Sequence, residues 1–476
     1  MASVFSREKR IVYSRKIKGF WEEFSRKKIG LLGLAMVIFY VLIAVFAPLL
    51  TPYNPLSTEQ VAQSFARPQW ITIFPQYSDL PTTEKFPLYW SIEEESELIQ
   101  SYGTIVVAEY EAENMEIVAV RLAAKFNFTS IPPIEFYFKF TWGGNDIQDL
   151  KYAIRIALFT PDGTRYSPMT DIYLMSLEQA GGELVTVQSV NPFFRQRLGF
   201  ETHKNPAPVI FNQTGEYKFE LNIRFQPKST AASGKVTVKD TECVILGQVH
   251  GILGCDHAGV DIWTQLVYGA RVSLEIGLLA AVAGASIGIL VGVVTGYLGG
   301  VVDELMMRVV DILLCLPFLP LLLTLVFLFG KNIFYIVLFI AVFGWQGLSR
   351  VIRSQVLSLR ETAFVECARA SGASKFYVIT KHLVPNVLPI AFASLVLAVP
   401  SAILFEAALS FLGFGDPRVP TWGKMLHQAF GFGAFTHLAW WWLLPPGIAI
   451  TTLCLAFVFM GHALDEVVNP RLRRRR

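Results

Sequence analysis

Residues Val272–Leu298 read VSLEIGLLAAVAGASIGILVGVVTGYL, with one charged side chain, Glu275. A bilayer core needs about 20 consecutive apolar residues in a helix, so this stretch has the composition of a membrane span. Gly284, Gly288, Gly292 and Gly296 recur at every fourth position. Helical geometry puts such positions on one face. A face without side chains lets a second helix approach closely. The spacing therefore predicts tight helix packing, the alternative being a flexible helix with no specific partner.

Moving outward, the first comparable run is Ile29–Leu50, ended by Pro52. It follows a long basic segment and is long enough to span, so it reads as an uncleaved first transmembrane helix rather than a signal peptide. Later runs lie at Met306–Phe329, Ile333–Gly347, Val387–Leu409 and Trp440–Met460; the Ile333 run is short, with room to run on toward Ile352. Pro317, Pro320, Pro400, Pro445 and Pro446 interrupt them, as membrane helices tolerate where neighbours satisfy the freed carbonyls. Six spans result. Composition agrees: 53% of the 476 residues are hydrophobic and 17% charged, against about 25% charged in soluble domains.

Lys and Arg near the spans set orientation. Arg7, Lys9, Arg10, Arg15, Lys16, Lys18, Arg26, Lys27 and Lys28 precede span one, and Arg471 and Arg473 to Arg476 follow span six. Arg350, Arg353, Arg360, Arg369, Lys375 and Lys381 lie between spans four and five. The three clusters agree on one topology, with both termini and that loop cytoplasmic. Membrane anchoring explains the basic ends without nucleic acid.

Residues 51–250 are different material, with no spanning run. Short alternating stretches cover Thr104–Tyr110, Glu116–Ala123, Glu135–Phe140, Tyr152–Phe159, Leu184–Val190, Glu216–Phe225 and Lys235–Leu246. Tyr217, Phe219, Leu221 and Ile223 show the period of two. Pro161-Asp162-Gly163 and Gly181-Gly182 supply turns. The expectation is an inserted all-β domain, a sandwich, on the extracytoplasmic side. The organisation is thus 1–28 basic and cytoplasmic, 29–50 span one, 51–250 insert, 251–470 five further helices, and 471–476 a basic tail. Asn127-Phe-Thr129 and Asn212-Gln-Thr214 match a glycosylation pattern too common to carry weight.

The cysteines Cys243, Cys255, Cys315, Cys367 and Cys454 have no zinc-ligand spacing. Cys243 and Cys255 flank one short loop and can pair if it faces an oxidising space; two free thiols are the alternative. No His, Asp and Glu cluster has metal spacing, and no P-loop sequence is present. Glu275 and Glu406 fall near the outer ends of spans two and five, and read as interfacial or paired. Asp303, Glu304, Arg308 and Asp311 suggest salt bridging among themselves.

The segment Arg360–Pro385 carries the most functional information. Ala, Glu, Cys and Arg before Gly372 favour a helix; Gly372 suits a C′ position with positive φ, and Ser374 can cap a following helix. A helix–turn–helix at 361–385, presenting Glu366 and Ala368, suits insertion into a groove on a partner. An ordinary amphipathic surface helix is the plainer alternative.

The spacing Glu366-Cys367-Ala368, Gly372, then His382 and Val384-Pro385 resembles the EAA coupling loop of ABC importer permeases, with Cys367 and His382 as departures. Histidine at 382 is similar to the dipeptide/oligopeptide branch. Gly254-Cys-Asp256-His-Ala-Gly259-Val-Asp261, Glu406–Gly413, Pro420–Leu426, Lys28-Ile-Gly30 and Ala47–Pro55 resemble that branch too, Val260 and Cys255 replacing its usual Arg and Thr. The resemblance covers about residues 20–56 and 250–470. It implies an α-helical polytopic membrane protein of the type I ABC importer class and a permease subunit in the plasma membrane, not an enzyme. Implied partners are a second homologous permease, two ATP-binding subunits, an extracytoplasmic solute-binding protein and membrane lipid. No cofactor is implied on this chain, ATP being bound by the partner subunits. Glu366, Ala368, Gly372, His382 and Pro385 would be the coupling residues. A secondary transporter, or a receptor or scaffold with an external sensor, are the rival readings.

Overall fold

The computed structural model describes residues 18–56, 59–93, 99–112, 115–166, 172–174, 183–197, 200–201 and 203–468. The basic residues Arg7 to Lys16, the tail Arg471 to Arg476 and the Gly181-Gly182 turn lie outside these. The chain divides into two compact units, Met1–Thr58 with Ile262–Arg476, and Glu59–Asp261. The second boundary falls later than residue 250, because the following loop folds with the β unit. Val61 N donates to Gly259 O and Cys255 N to Ala66 O, both at 2.9 Å. The Asp256 carboxylate accepts from the N–H groups of Ala258 and Val260 at 2.8 and 3.0 Å.

The first unit is helical. It contains α1 (Lys28–Leu50), α2 (Ile262–Leu298), α3 (Gly300–Cys315), α4 (Phe318–Phe329), α5 (Ile333–Val342), α6 (Gln346–Arg360), α7 (Ala363–Ala370), α8 (Lys375–Val378), α9 (Val384–Phe411), α10 (Trp422–Gly431) and α11 (Trp440–Val468). Five segments are long and apolar enough to cross a membrane: α1, α2, Ile333–Arg360, Lys375–Phe411 and α11. The pair α3 and α4 makes a sixth if it counts as one span.

Two expectations need correction here. The run Met306–Phe329 is not one helix, since α3 and α4 meet at 88°. Pro317 lacks an N–H and crowds the residue before it out of the helical region; Leu316 accordingly sits at φ −72°, ψ 135°. Second, α2 starts ten residues before Val272, at Ile262. Its first turn is held to the end of α1: Trp263 Nε1 donates to Leu50 O at 3.2 Å, and the Thr51 and Thr264 hydroxyls lie 2.5 Å apart.

The second unit is a β-sandwich. One sheet runs Ile172–Leu174, Leu150–Phe159, Gly215–Pro227, Val118–Phe128, Ser91–Ile92, with Arg165–Tyr166 paired to Leu150–Phe159. The other runs Glu183–Gln188, Glu135–Gln148, Ser233–Leu246, Ile105–Glu111, Ile99–Tyr102, with Glu84–Pro87 paired to Ser233–Leu246. Antiparallel register puts Phe219 opposite both Ala124 and Leu158. The inward positions build an aromatic core, in which Phe138 and Phe219 stack at 5.1 Å and Phe136 meets Phe211 edge-on at 5.0 Å. Cys243 and Cys255 are both free thiols, so the disulfide does not form. Cys243 is buried in the aromatic core and Cys255 in a separate cluster with Ala62 and Ala66. Burial pushes both thiols well up, away from the reactive thiolate.

Candidate functional site

Helix α7 closes with both hydrogen bonds of a Schellman turn. Gly372 N donates to Arg369 O at 3.0 Å and Ala373 N to Ala368 O at 3.1 Å. That turn puts Gly372 at φ +81°, where L side chains are strained. A Cβ at Gly372 meets no atom within 4 Å, so conformation rather than space requires glycine. Ser374 then caps α8, its Oγ accepting from Tyr377 N at 3.2 Å. A wide π turn, Ile379–Leu383, leads without a break into α9, and Pro385, which has no N–H to give to the helix, follows directly after it.

This knob is fastened to the spans by apolar contact. Val365, Val378 and Leu383 join Val293 of α2, Ile352 and Val356 of α6, and Val387 of α9 in one buried cluster. Ala368 is half-buried against it, while Glu366 and Cys367 are exposed. His382 lies 6.0 Å from the Phe364 ring and 5.8 Å from the Tyr377 ring. This aromatic clasp ties α7 and α8 to the entrance of α9. Phe364 and Tyr377 were not among the expected site residues; the available signal was two aromatic residues in a loop otherwise made of small ones.

The glycines of α2 face the span Ile333–Arg360. A Cβ at Gly284 would lie 3.4 Å from Ala341 O, at Gly288 3.0 Å from Trp345 O, at Gly292 2.6 Å from Ser349 O and at Gly296 2.8 Å from Val356 Cβ. The fourfold spacing of one helix thus meets a near-fourfold spacing on the other, with backbone against backbone. The α3 carboxylates do not bridge to Arg308. Asp303 takes Arg353 in two bonds of 2.5 and 2.6 Å, and Asp311 takes Arg350. The bend at Pro317 frees α3 to lie along α6, and residues three apart on α6 share a face.

Ile333–Arg360 is broken at Phe343–Trp345. Beside the break is a cavity of about 450 Å³. Its walls include Ala281 and Gly284 of α2, Gly344 and Gly347 at the break, Ser394 and Ser401 of α9, and the rings of Phe318 and Phe405. No charged side chain lines it. None of the break or serine residues was singled out by sequence. The two acids near the span ends differ: Glu275 is exposed and pairs with Arg271 at 3.3 Å, whereas Glu406 is buried and accepts from Ser410 Oγ at 2.6 Å. Among the described residues no group of three His, Cys, Asp or Glu is arranged to hold a metal ion.

Residues 288–474 match the model of the binding-protein-dependent transport system inner membrane component, and residues 17–68 that of the N-terminal TM domain of oligopeptide transport permease C. The chain is 36% identical over 222 residues to the dipeptide transport system permease protein DppC of Bacillus subtilis, covering 46% of this chain and 69% of that protein. It is 38% identical over 221 residues to the oligopeptide transport system permease protein OppC of Haemophilus influenzae, covering 46% and 70%. Among solved structures it is similar to an inward-facing MetNI methionine ABC transporter, with 19% identity and a TM-score of 0.35 over 43% of this chain and 94% of that one.

Proposed function

The chain belongs to the inner-membrane permeases of binding-protein-dependent ABC transporters, of the permease C type, and on that premise we propose that it moves peptides inward as one half of a translocation pathway. A second, homologous permease supplies the other half. Two ATP-binding subunits lie on the cytoplasmic side with both termini of this chain, and a solute-binding protein delivers the solute on the opposite side, where the β unit also lies. ATP is bound and hydrolysed on the partner subunits, and this chain is not an enzyme.

The observation that carries this reading is the fastening of the α7–α8 knob. Its outer surface offers Glu366 and small residues to a partner, while Val365 and Val378 key it into α2, α6 and α9. A displacement imposed on the knob is therefore passed to three span-forming helices as a rigid movement, because packed cores transmit strain rather than absorb it. Coupling of ATP hydrolysis to the access of the pathway is then a coupling free energy between two sites.

The test uses the assembled transporter in membranes. Glu366→Lys, or Gly372→Val, is expected to leave the complex assembled while uptake of a labelled peptide falls at least tenfold relative to ATP hydrolysed. Normal uptake per ATP in both variants would remove the coupling role from this loop.

A further inference from the structure

Many threonine and some serine hydroxyls on the spans satisfy themselves. Ser286 donates to Val282 O at 2.8 Å, Thr295 to Val291 O at 2.8 Å, Thr324 to Pro320 O at 2.9 Å, and Thr451 to Gly447 O at 2.8 Å. This is the expected behaviour where no water competes, since an unsatisfied polar group in an apolar medium is costly. Ser394 and Ser401 of α9 depart from it, as do Ser273, Ser354 and Ser358, but of these five only Ser394 and Ser401 line the cavity. Neither hydroxyl has a hydrogen-bond partner among the described residues, and both line the cavity beside the break in Ile333–Arg360. Their separation of seven residues places them on one face of α9, about 10.5 Å apart along the axis.

We propose that Ser394 and Ser401 contact the transiting solute through its amide groups, and that this half of the pathway selects for a peptide backbone rather than for side-chain charge. The proposal rests on the permease reading above and names the chemistry of its pathway. The spacing fits: about three residues of extended peptide, at 3.3–3.6 Å each, cover the distance between the two hydroxyls. The lining fits as well. A wall with no charged side chain neither traps nor rejects a solute by the charge it carries, and two unsatisfied hydroxyls offer hydrogen bonds that every peptide can take. A cavity of about 450 Å³ is within the usual range of small-molecule sites, about 300–1,000 Å³.

Gly347 provides a means of closing this space without disturbing the fold. It lines the cavity, and a Cβ there meets no atom within 4 Å. A larger side chain at 347 therefore enters the cavity rather than a packed neighbour.

The test again uses the complete transporter in membranes, with radiolabelled tri-alanine as the probe. Gly347→Leu is expected to lower uptake at least tenfold with assembly unchanged. Ser394→Ala with Ser401→Ala is expected to raise the KM for tri-alanine several-fold while ATP hydrolysis per solute moved stays constant. Ser394→Cys and Ser401→Cys are expected to react with a cationic, water-soluble methanethiosulfonate, and tri-alanine is expected to slow that reaction at least threefold. Leu404→Cys, on a neighbouring exposed face of α9, is the unprotected control. Reaction of the serine-site cysteines no different from Leu404→Cys, or an unchanged KM in the double alanine variant, overturns the proposal and leaves the permease reading standing. Nucleotide-independent uptake by the unmodified transporter instead overturns the permease reading itself.

Discussion

Helix α2 buries Gly288, Gly292 and Gly296 and turns Leu279 and Leu290 outward, the latter two 60% and 66% exposed. The strand Gly215–Pro227 does the reverse: Tyr217, Phe219, Leu221, Ile223 and Phe225 are buried, and Glu216 and Arg224 face out. The contrast follows from the solvent. In water, apolar area removed from solvent is worth about 25 cal/mol per Å², so the β unit gains by enclosing its largest side chains. Lipid tails are as apolar as leucine, so a spanning helix gains little by hiding leucine and more by bringing backbones close together.

Three outcomes would break or sharpen this contrast. The largest effect belongs to the β unit. Phe219 is 2% exposed and stacks on Phe138 and Phe126, so Phe219→Ala should cost about 3–5 kcal/mol. Limited proteolysis of the full chain should then cut first within residues 59–261; equal resistance would mean that the aromatic core is not what holds the sandwich. Next comes overpacking in the spans. Gly292→Leu drives a side chain into Ser349 O and Ile352 and should cost about 1–3 kcal/mol or more, read as a lower melting temperature in detergent. An unchanged melt would show that α2 and the Ile333–Arg360 span are not in close contact.

The smallest effect is that of pH on the β unit. Burial holds His250 and His257 below the ordinary histidine value of 6.5, against the pull of Asp261 and Asp256. Unfolding restores that value, so the unfolded chain takes up protons first as the pH falls. The stabilisation is fully present above about pH 6.5 and is lost progressively below it. Replacing both histidines with Gln should flatten the fall in protease resistance between pH 7 and pH 5, and an unaltered slope would assign it to other groups.

Much of this was legible in residue order. The alternation at Tyr217–Ile223 marked a strand because one face meets a core and the other water. The apolar runs marked spans because the bilayer demands a minimum length, and Gly372 and Ser374 marked the turn of the knob because few residues suit a positive φ or an N-cap. Ser394, Ser401 and Gly347 gave no such signal. A serine in a span reads the same whether its hydroxyl bonds one turn back or is left open to a cavity, and a glycine reads the same in close packing at 292 as in free space at 347. The salt bridges were misjudged for a similar reason: proximity in sequence suggested Asp303 with Arg308, while the bend at Pro317 delivered Asp303 to Arg353.

Sequence by itself thus determined which segments are apolar enough to cross a membrane, the bent run Met306–Phe329 excepted, which form a sandwich, where the knob turns, and the family to which the chain belongs, because these depend on local composition, period and spacing. Only the tertiary structure decided that the glycine face of α2 meets the Ile333–Arg360 span, that Cys243 and Cys255 are buried apart as free thiols, and that two serines open onto an uncharged cavity. Those outcomes depend on which helix faces meet, and that is set by packing between residues far apart in the chain.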